Sequence, residues 1–187
     1  MGGIIVPLLK DDYVKTEKIN GIIYNMSPSG SFVHGCINGN IYHSLRGQLK
    51  NSLCKASMEN LDLFLDEDEY VIPDIMLICD RKQIKKNGYY GVPRFIVETL
   101  SPSTVLKDKT VKKEKYAELG VDEYWIIEPQ GRSLEVYYLE DRAYKLVASY
   151  ILEDDEKDEH YNADIVLTLK AMPNVSISLS EIFEDVE

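Results

Sequence analysis

Two carboxylates stand in segments of the chain that are otherwise largely apolar. Residues 71–79 are apolar apart from Asp74, and residues 94–100 form a second such run that contains Glu98. Runs of this kind are typical of strands covered on both faces, where an unpaired carboxylate is costly. If the two strands are neighbours, the carboxylates converge, and their oxygen atoms are ligands that suit Mg²⁺ or Mn²⁺. The pattern predicts a divalent-cation site centred on Asp74 and Glu98.

A structural role is the alternative for this pair, with each carboxylate capping a backbone group or meeting a lysine. Pro73 precedes Asp74 and cannot donate to a sheet ladder, so we expect a strand start or a bulge there. Two carboxylates intruding into apolar strands are uncommon as purely structural features. We therefore favour the cation site.

Periodicity predicts the elements that must position these carboxylates. Apolar residues four apart predict a long helix within residues 31–53, and a second helix is expected from about residue 108 to residue 119, stopping at Gly120. The Asn20-Gly21 pair predicts a hairpin turn. Other strands are expected at residues 61–66, 123–128, 134–139, 144–150 and 164–169, the last two bracketing an acidic loop. The order β, α, β, β, β, α, β, β predicts an α/β fold with one mixed sheet flanked by helices.

Length and charge limit the classes of function. With 187 residues, the chain is long enough for one sizeable core and short for two, so we expect a single domain over residues 1–187. The 32 acidic residues outnumber the 21 Lys and Arg residues, which gives a formal net charge of −11. This balance argues against a broad non-specific nucleic-acid surface, although it leaves room for a local basic groove.

The cysteines and the N-terminus indicate a cytoplasmic protein. Cys36, Cys54 and Cys79 contain no CxxC pair and are odd in number, so we expect no disulfide framework and a reduced, intracellular chain. Residues 1–13 include a short apolar run without a positive n-region or a convincing cleavage site. No segment approaches the roughly 18 apolar residues that a membrane span needs, so we expect no membrane contact.

The order of the motifs resembles a known superfamily. A Pro-Asp pair, a spacer of about two dozen residues and a Glu-Xaa-(Lys) motif are similar to the PD-(D/E)XK nucleases. The resemblance to the Uma-two family within that superfamily is closer and covers nearly the whole chain. The residues that carry it are the segment Glu98 to Thr104, followed by Asp108, Lys112, Tyr116, Gly120-Val121 and Glu123-Tyr124-Trp125.

This resemblance implies a restriction-endonuclease-like fold and metal-dependent hydrolysis of DNA. Asp74, Glu98 and the main-chain carbonyl of Thr99 would hold Mg²⁺ or Mn²⁺. The lysine of the usual motif is replaced by Leu100. Lys112 is the family-matching substitute, and a cation there would ease hydroxide formation and stabilise charge on the phosphate. A homodimer is one arrangement by which such an enzyme cuts both strands.

Several of these residues have simpler interpretations. Lys112 lies four residues after Asp108, an ordinary helical ion-pair spacing. His34, on the first helix in the family pattern, could orient a phosphate or water or shuttle a proton, but a lone helical histidine is usually structural. Tyr116 and Trp125 are expected to be core aromatics whose polar atoms need partners.

Two functions from different classes follow. The first is a Mg²⁺-dependent DNA endonuclease that uses Asp74, Glu98, Lys112 and His34. The second is a catalytically silent module on the same scaffold that binds nucleic acid or protein. Leu100 and the net charge of −11 motivate this second interpretation. A hydrolase of a smaller phosphate substrate would tolerate the acidic surface, although no motif favours it.

Overall fold

The computed structural model describes residues 15–26, 31–59 and 61–186. The apolar N-terminal run and residues 27–30 lie outside them. The strands are β1 (Thr16–Ile19), β2 (Ile22–Asn25), β3 (Lys55–Met58), β4 (Leu63–Phe64), β5 (Tyr70–Val71), β6 (Ile75–Ile78), β7 (Ile84–Lys85), β8 (Gly88–Tyr89), β9 (Phe95–Thr99), β10 (Glu123–Glu128), β11 (Ser133–Glu140), β12 (Ala143–Ile151), β13 (Val166–Leu169) and β14 (Met172–Ser178). The helices are α1 (Phe32–Gln48), α2 (Val105–Lys107), α3 (Lys113–Leu119) and α4 (Leu179–Ile182).

A mixed six-stranded sheet in the order β12-β11-β10-β9-β6-β3 forms the centre of the molecule. Its only parallel pair among these strands is β9 with β10. One face packs against α1 through Ile37, Ile41 and Leu45, and the other packs against Tyr116 of α3. This arrangement confirms the predicted α/β class with a mixed sheet flanked by helices.

A second sheet of short strands, in the order β2-β1-β5-β4-β8-β7, was not predicted. The expected strand at residues 61–66 is reduced to β4, and the expected strand at residues 71–79 is divided between β5 and β6. Pro73 lies in the interruption, as its missing N–H group requires. The prediction of a single sheet was therefore wrong, because these strands are too short to give a periodic signal.

The strands predicted after Gly120 are present, and the structure adds one further strand, β14. Residues 123–128 form β10 as predicted, and Gly120 ends α3 in the left-handed conformation at φ 94°. The strands expected at 144–150 and 164–169 exist as β12 and β13, but β12 pairs with β11 and β13 pairs with the unpredicted β14. The Asn20-Gly21 hairpin between β1 and β2 is confirmed.

The expectation of a chain without a disulfide is corrected by the pair Cys54–Cys79. β3 and β6 are antiparallel neighbours in which Lys55 faces Ile78, so the two cysteines stand opposite each other one position further along. A sequence separation of 25 residues conceals this pairing. Cys36 on α1 is a free cysteine.

Candidate active site

The two carboxylates predicted from the sequence lie at neighbouring ends of two adjacent strands. β6 and β9 are antiparallel with Ile75 opposite Val97, so Asp74 and Glu98 occupy the next register position. Opposite residues of an antiparallel pair project from the same face. The backbone N–H of Thr99 donates to Oδ2 of Asp74 over 2.7 Å.

Lys112 reaches Glu98 from the segment that connects α2 and α3. Residues Asp108–Lys112 form a π-helical stretch, a distortion found frequently at functional sites. Lys112 Nζ donates to Glu98 Oε1 over 3.0 Å, and the hydroxyl of Tyr116, one turn later, donates to the same oxygen over 2.6 Å. The expected helical ion pair with Asp108 is also present, at 3.5 Å.

His34 lies at the start of α1, where its backbone N–H donates to the capping Ser31 hydroxyl over 3.1 Å. Its Nε2 lies 3.3 Å from Asp74 Oδ2. Burial lowers the pKa of His34, against the opposing charges of Glu59 and Asp108, which favours the neutral ring. A neutral imidazole can accept a proton or ligate a metal.

Sequence reasoning missed Glu59, Asn38 and Glu17. His34, Glu59 and Asp74 each offer one ligand atom, and these atoms all lie within 4.8 Å of one another. The Asn38 amide donates to Glu59 over 2.7 Å, and its oxygen accepts the Thr99 hydroxyl over 2.7 Å. Asn38 lies four residues after His34 on α1, and this helical spacing of polar residues is the sequence feature that could have indicated it. Glu59 follows a four-residue strand that has no periodic pattern.

Electrostatics indicate a shortage of positive charge at this end of the sheet. Burial raises the pKa of Asp74 to about 7 and raises the pKa of Glu98 well above its usual range. Burial also disfavours a charged Lys112, but Glu98, Glu17, Asp108 and Asp74 outweigh this effect and raise the lysine pKa. The buried Oδ1 of Asp108 accepts no hydrogen bond.

A cavity of about 1500 Å³ is lined by Asp74, Glu98, Asp108 and Lys112. Its wall also includes Lys15, Lys107, Arg132 and the hydroxyl-rich turn at residues 101–104. Within that turn, the Ser101 hydroxyl lies 3.0 Å from the Thr104 hydroxyl. The structure thus brings all five predicted site residues to one cavity: His34, Asp74, Glu98, Thr99 and Lys112.

The predicted core aromatics and the departure from the lysine motif have structural explanations. Trp125 is buried and donates its indole N–H to Glu123 over 2.9 Å, while Tyr116 is buried against Glu98. Leu100 is also buried, in the apolar cluster that contains Tyr116 and Val121. The usual motif position therefore contributes to the core here, and Lys112 supplies the ammonium group beside Glu98.

No helix in the described ranges combines the length and the apolar character needed to cross a membrane.

Comparisons with known proteins connect this site to a family. An uncharacterized protein of Synechocystis sp. is 26% identical over 142 residues, which cover 75% of this chain and 74% of the relative. A crystal structure described as a "putative nuclease belonging to DUF820" from Anabaena variabilis superposes with a TM-score of 0.68 at 19% identity, covering 90% of this chain and 89% of that one. The model of the Uma2 family, described as "Putative restriction endonuclease", matches residues 7–168. The chain therefore belongs to the Uma2 family.

Proposed function

We propose that this protein is a divalent-metal-dependent endonuclease that hydrolyses phosphodiester bonds in DNA. The observation that carries the proposal is the placement of Asp74 and Glu98 at facing register positions, with the Lys112 ammonium 3.0 Å from Glu98. Family membership supports the nuclease activity. We further propose that residues 1–187 act as one nuclease domain in the cytoplasm, where the Cys54–Cys79 disulfide would be an exception to the usual reduced state of cysteines.

The residues at the site fit a divalent cation. Glu17, Glu98 and Asp108 surround the Lys112 ammonium, and burial raises the pKa of both Asp74 and Glu98, so a cation would compensate the charge of these two carboxylates once they ionise. The ligand atoms of His34 and Glu59 lie within 4.8 Å of one in Asp74 and offer the ion further ligands. Asp74 and Glu98 would hold Mg²⁺ or Mn²⁺ together with the Thr99 carbonyl. The oxygen ligands suit both ions. When bound, the ion would supply Lewis-acid activation of water and of the phosphate.

The chain's own groups would perform the remaining steps. The Lys112 ammonium would stabilise negative charge on the phosphate during in-line attack. His34 Nε2 would accept a proton from the attacking water, because burial favours its neutral form. The Tyr116 hydroxyl would orient Glu98 through its 2.6 Å hydrogen bond.

DNA is the proposed partner because the cavity presents cationic side chains despite the net charge of −11. Lys15, Lys107 and Arg132 line the same cavity as the carboxylates. Lys107 is paired with Glu17 and Arg132 with Asp154, so local contact with phosphates would require these side chains to exchange their present partners. A homodimer would let two such sites act on the two strands.

The test combines metal binding with cleavage. Mn²⁺ and Mg²⁺ are titrated calorimetrically into wild type, Asp74→Asn and Glu98→Gln, and plasmid cleavage is followed on the same samples. We expect wild type to bind metal and nick DNA, and both variants to lose cleavage. Glu118→Gln is the matched control, since Glu118 is exposed and pairs only at 3.6 Å with Lys115.

The outcomes separate the candidate functions. Metal binding without cleavage across duplex, single-stranded and small phosphodiester substrates would overturn the endonuclease and support the silent module. Cleavage that survives Asp74→Asn would place the chemistry elsewhere.

A further inference from the structure

A further buried carboxylate, Glu17 on β1, reaches the active site from the second sheet. Its relative exposure is 0%, although it lies in a short hairpin strand. The site predicted from the sequence does not include it. Burying a carboxylate is costly unless its charge and its lone pairs are satisfied, so its contacts indicate what it does.

Both oxygens of Glu17 are used. Oε1 accepts the backbone N–H of Ile72 over 2.9 Å and lies 2.8 Å from Lys112 Nζ. Oε2 is paired with the ammonium of Lys107. Ile72 is two residues before Asp74, so one side chain connects the Asp74 segment, Lys112 and a lysine that lines the cavity.

The partners of Lys112 differ in how they relate to the proposed cation. Glu98 would ligate the cation, which would weaken its hold on the ammonium. Asp108 lies 3.5 Å away, and its Oδ1 accepts no hydrogen bond. Glu17, at 2.8 Å, is the nearest carboxylate to Lys112 and is not among the proposed ligands.

We propose that Glu17 is a positioning residue that holds the Lys112 ammonium beside the scissile phosphate while Glu98 is engaged with the cation. This inference rests on the proposed endonuclease function. It assigns to the β1–β2 hairpin a role in organising the catalytic lysine. The hairpin does not merely cover the sheet.

Glu17→Gln is the informative substitution, because an amide oxygen still accepts from Ile72 while the charge is removed. We expect kcat for plasmid nicking to fall about 10- to 100-fold, with KM for DNA within about threefold of wild type, because misplacing a catalytic group reduces the rate more than it reduces binding. Glu17→Asp retains the charge and should recover part of kcat. Glu135→Gln, which breaks the exposed Lys109 pair, is the matched control and should leave both constants unchanged.

A second readout does not depend on cleavage. The side-chain ammonium of Lys112 is followed by ¹H–¹⁵N NMR and assigned by its absence in Lys112→Arg. In wild type, its buried and hydrogen-bonded protons should give a resolved signal. This signal should broaden or disappear in Glu17→Gln and return in Glu17→Asp.

The two readouts separate the hypotheses. If wild type cleaves DNA and Glu17→Gln retains full kcat, the positioning role is refuted while the endonuclease stands. If wild type cleaves nothing, the endonuclease fails, and an unchanged Lys112 signal in Glu17→Gln would refute the positioning role as well. If Glu17→Gln does not fold, the same comparisons are made with Glu17→Asp, where wild-type kcat together with an unshifted Lys112 signal overturns the proposal.

Discussion

Asp74 is buried, and its neighbours have opposite effects on its pKa. The Thr99 N–H and Lys112 favour the carboxylate, whereas burial, Asp108 and Glu59 favour the protonated form. The second group of effects dominates. Asp74 is therefore the residue through which pH should control the site.

Metal affinity should consequently depend on pH. The pKa of Asp74 is about 7, against an ordinary value of 3.8, so its protonated form contributes stability that is present below pH 4 and is lost as the pH rises through 7. A cation needs the deprotonated form, and Glu98, whose pKa is also raised, must lose its proton as well, so we expect Mn²⁺ affinity to rise by at least about tenfold per pH unit up to 7. Calorimetry between pH 5.5 and 8.5 checks this, and an affinity that does not vary would contradict it.

Lys112 should also matter for folding. It is 3% exposed and neutralises part of the charge of Glu17, Glu98 and Asp108. Lys112→Met would leave these carboxylates buried without their shared cation, and we expect the free energy of unfolding to fall by about 3–5 kcal/mol. Urea denaturation measures the loss. Added Mn²⁺ should restore part of the lost stability. A Lys112→Met variant as stable as wild type would show that the three carboxylates are neutral in the folded, metal-free protein.

At the scale of elements, the β3–β6 pair connects two distinct features. Glu59 and Asp74 lie at one end, where the N–H of Glu59 donates to the Asp74 carbonyl over 3.0 Å. Cys54 and Cys79 lie at the other end. The disulfide thus braces β3, an edge strand of the central sheet, against the strand that leads from Asp74.

Removal of this disulfide should destabilise the protein. It closes a loop with a sequence separation of 25 residues, so we expect Cys54→Ser/Cys79→Ser to lower the free energy of unfolding by about 2–4 kcal/mol. Denaturant melts with and without reductant make the measurement, and Cys36→Ser is the control. Three titratable thiols in the unreduced, denatured wild type would show that the bond does not form.

For the whole molecule, the acidic surface and the basic side chains in the cavity wall would act in opposite directions on DNA. Most of the net charge of −11 repels a duplex, whereas Lys15, Lys107 and Arg132 provide attraction at the cavity. Such a distribution favours contact with a few phosphates near the scissile bond. Binding should therefore depend only moderately on salt.

We expect a slope of about −3 for log K against log salt concentration, since roughly three phosphate contacts each contribute about −0.9. Fluorescence anisotropy with a labelled duplex and Asp74→Asn, which blocks cleavage, supplies the data. Arg132→Gln should reduce the slope by about one. A slope steeper than about −6 would indicate a basic surface away from the cavity.

The sequence by itself determined the features that depend on local chemistry. A carboxylate in an apolar strand is visible without coordinates, as are the Asn20-Gly21 turn and the Gly120 cap, because each depends on residues that are near in sequence. The family motifs indicated Lys112 as the candidate substitute for the lysine absent at Leu100. The tertiary structure decided the rest.

These features depend on contacts between distant parts of the chain. The Cys54–Cys79 pair joins residues 25 positions apart. Glu17 lies in β1 and Glu59 follows β3, and each of these strands has only four residues and no periodic signal. Their roles follow from which strands become neighbours. That choice is made by burial of the whole core and not by any local segment.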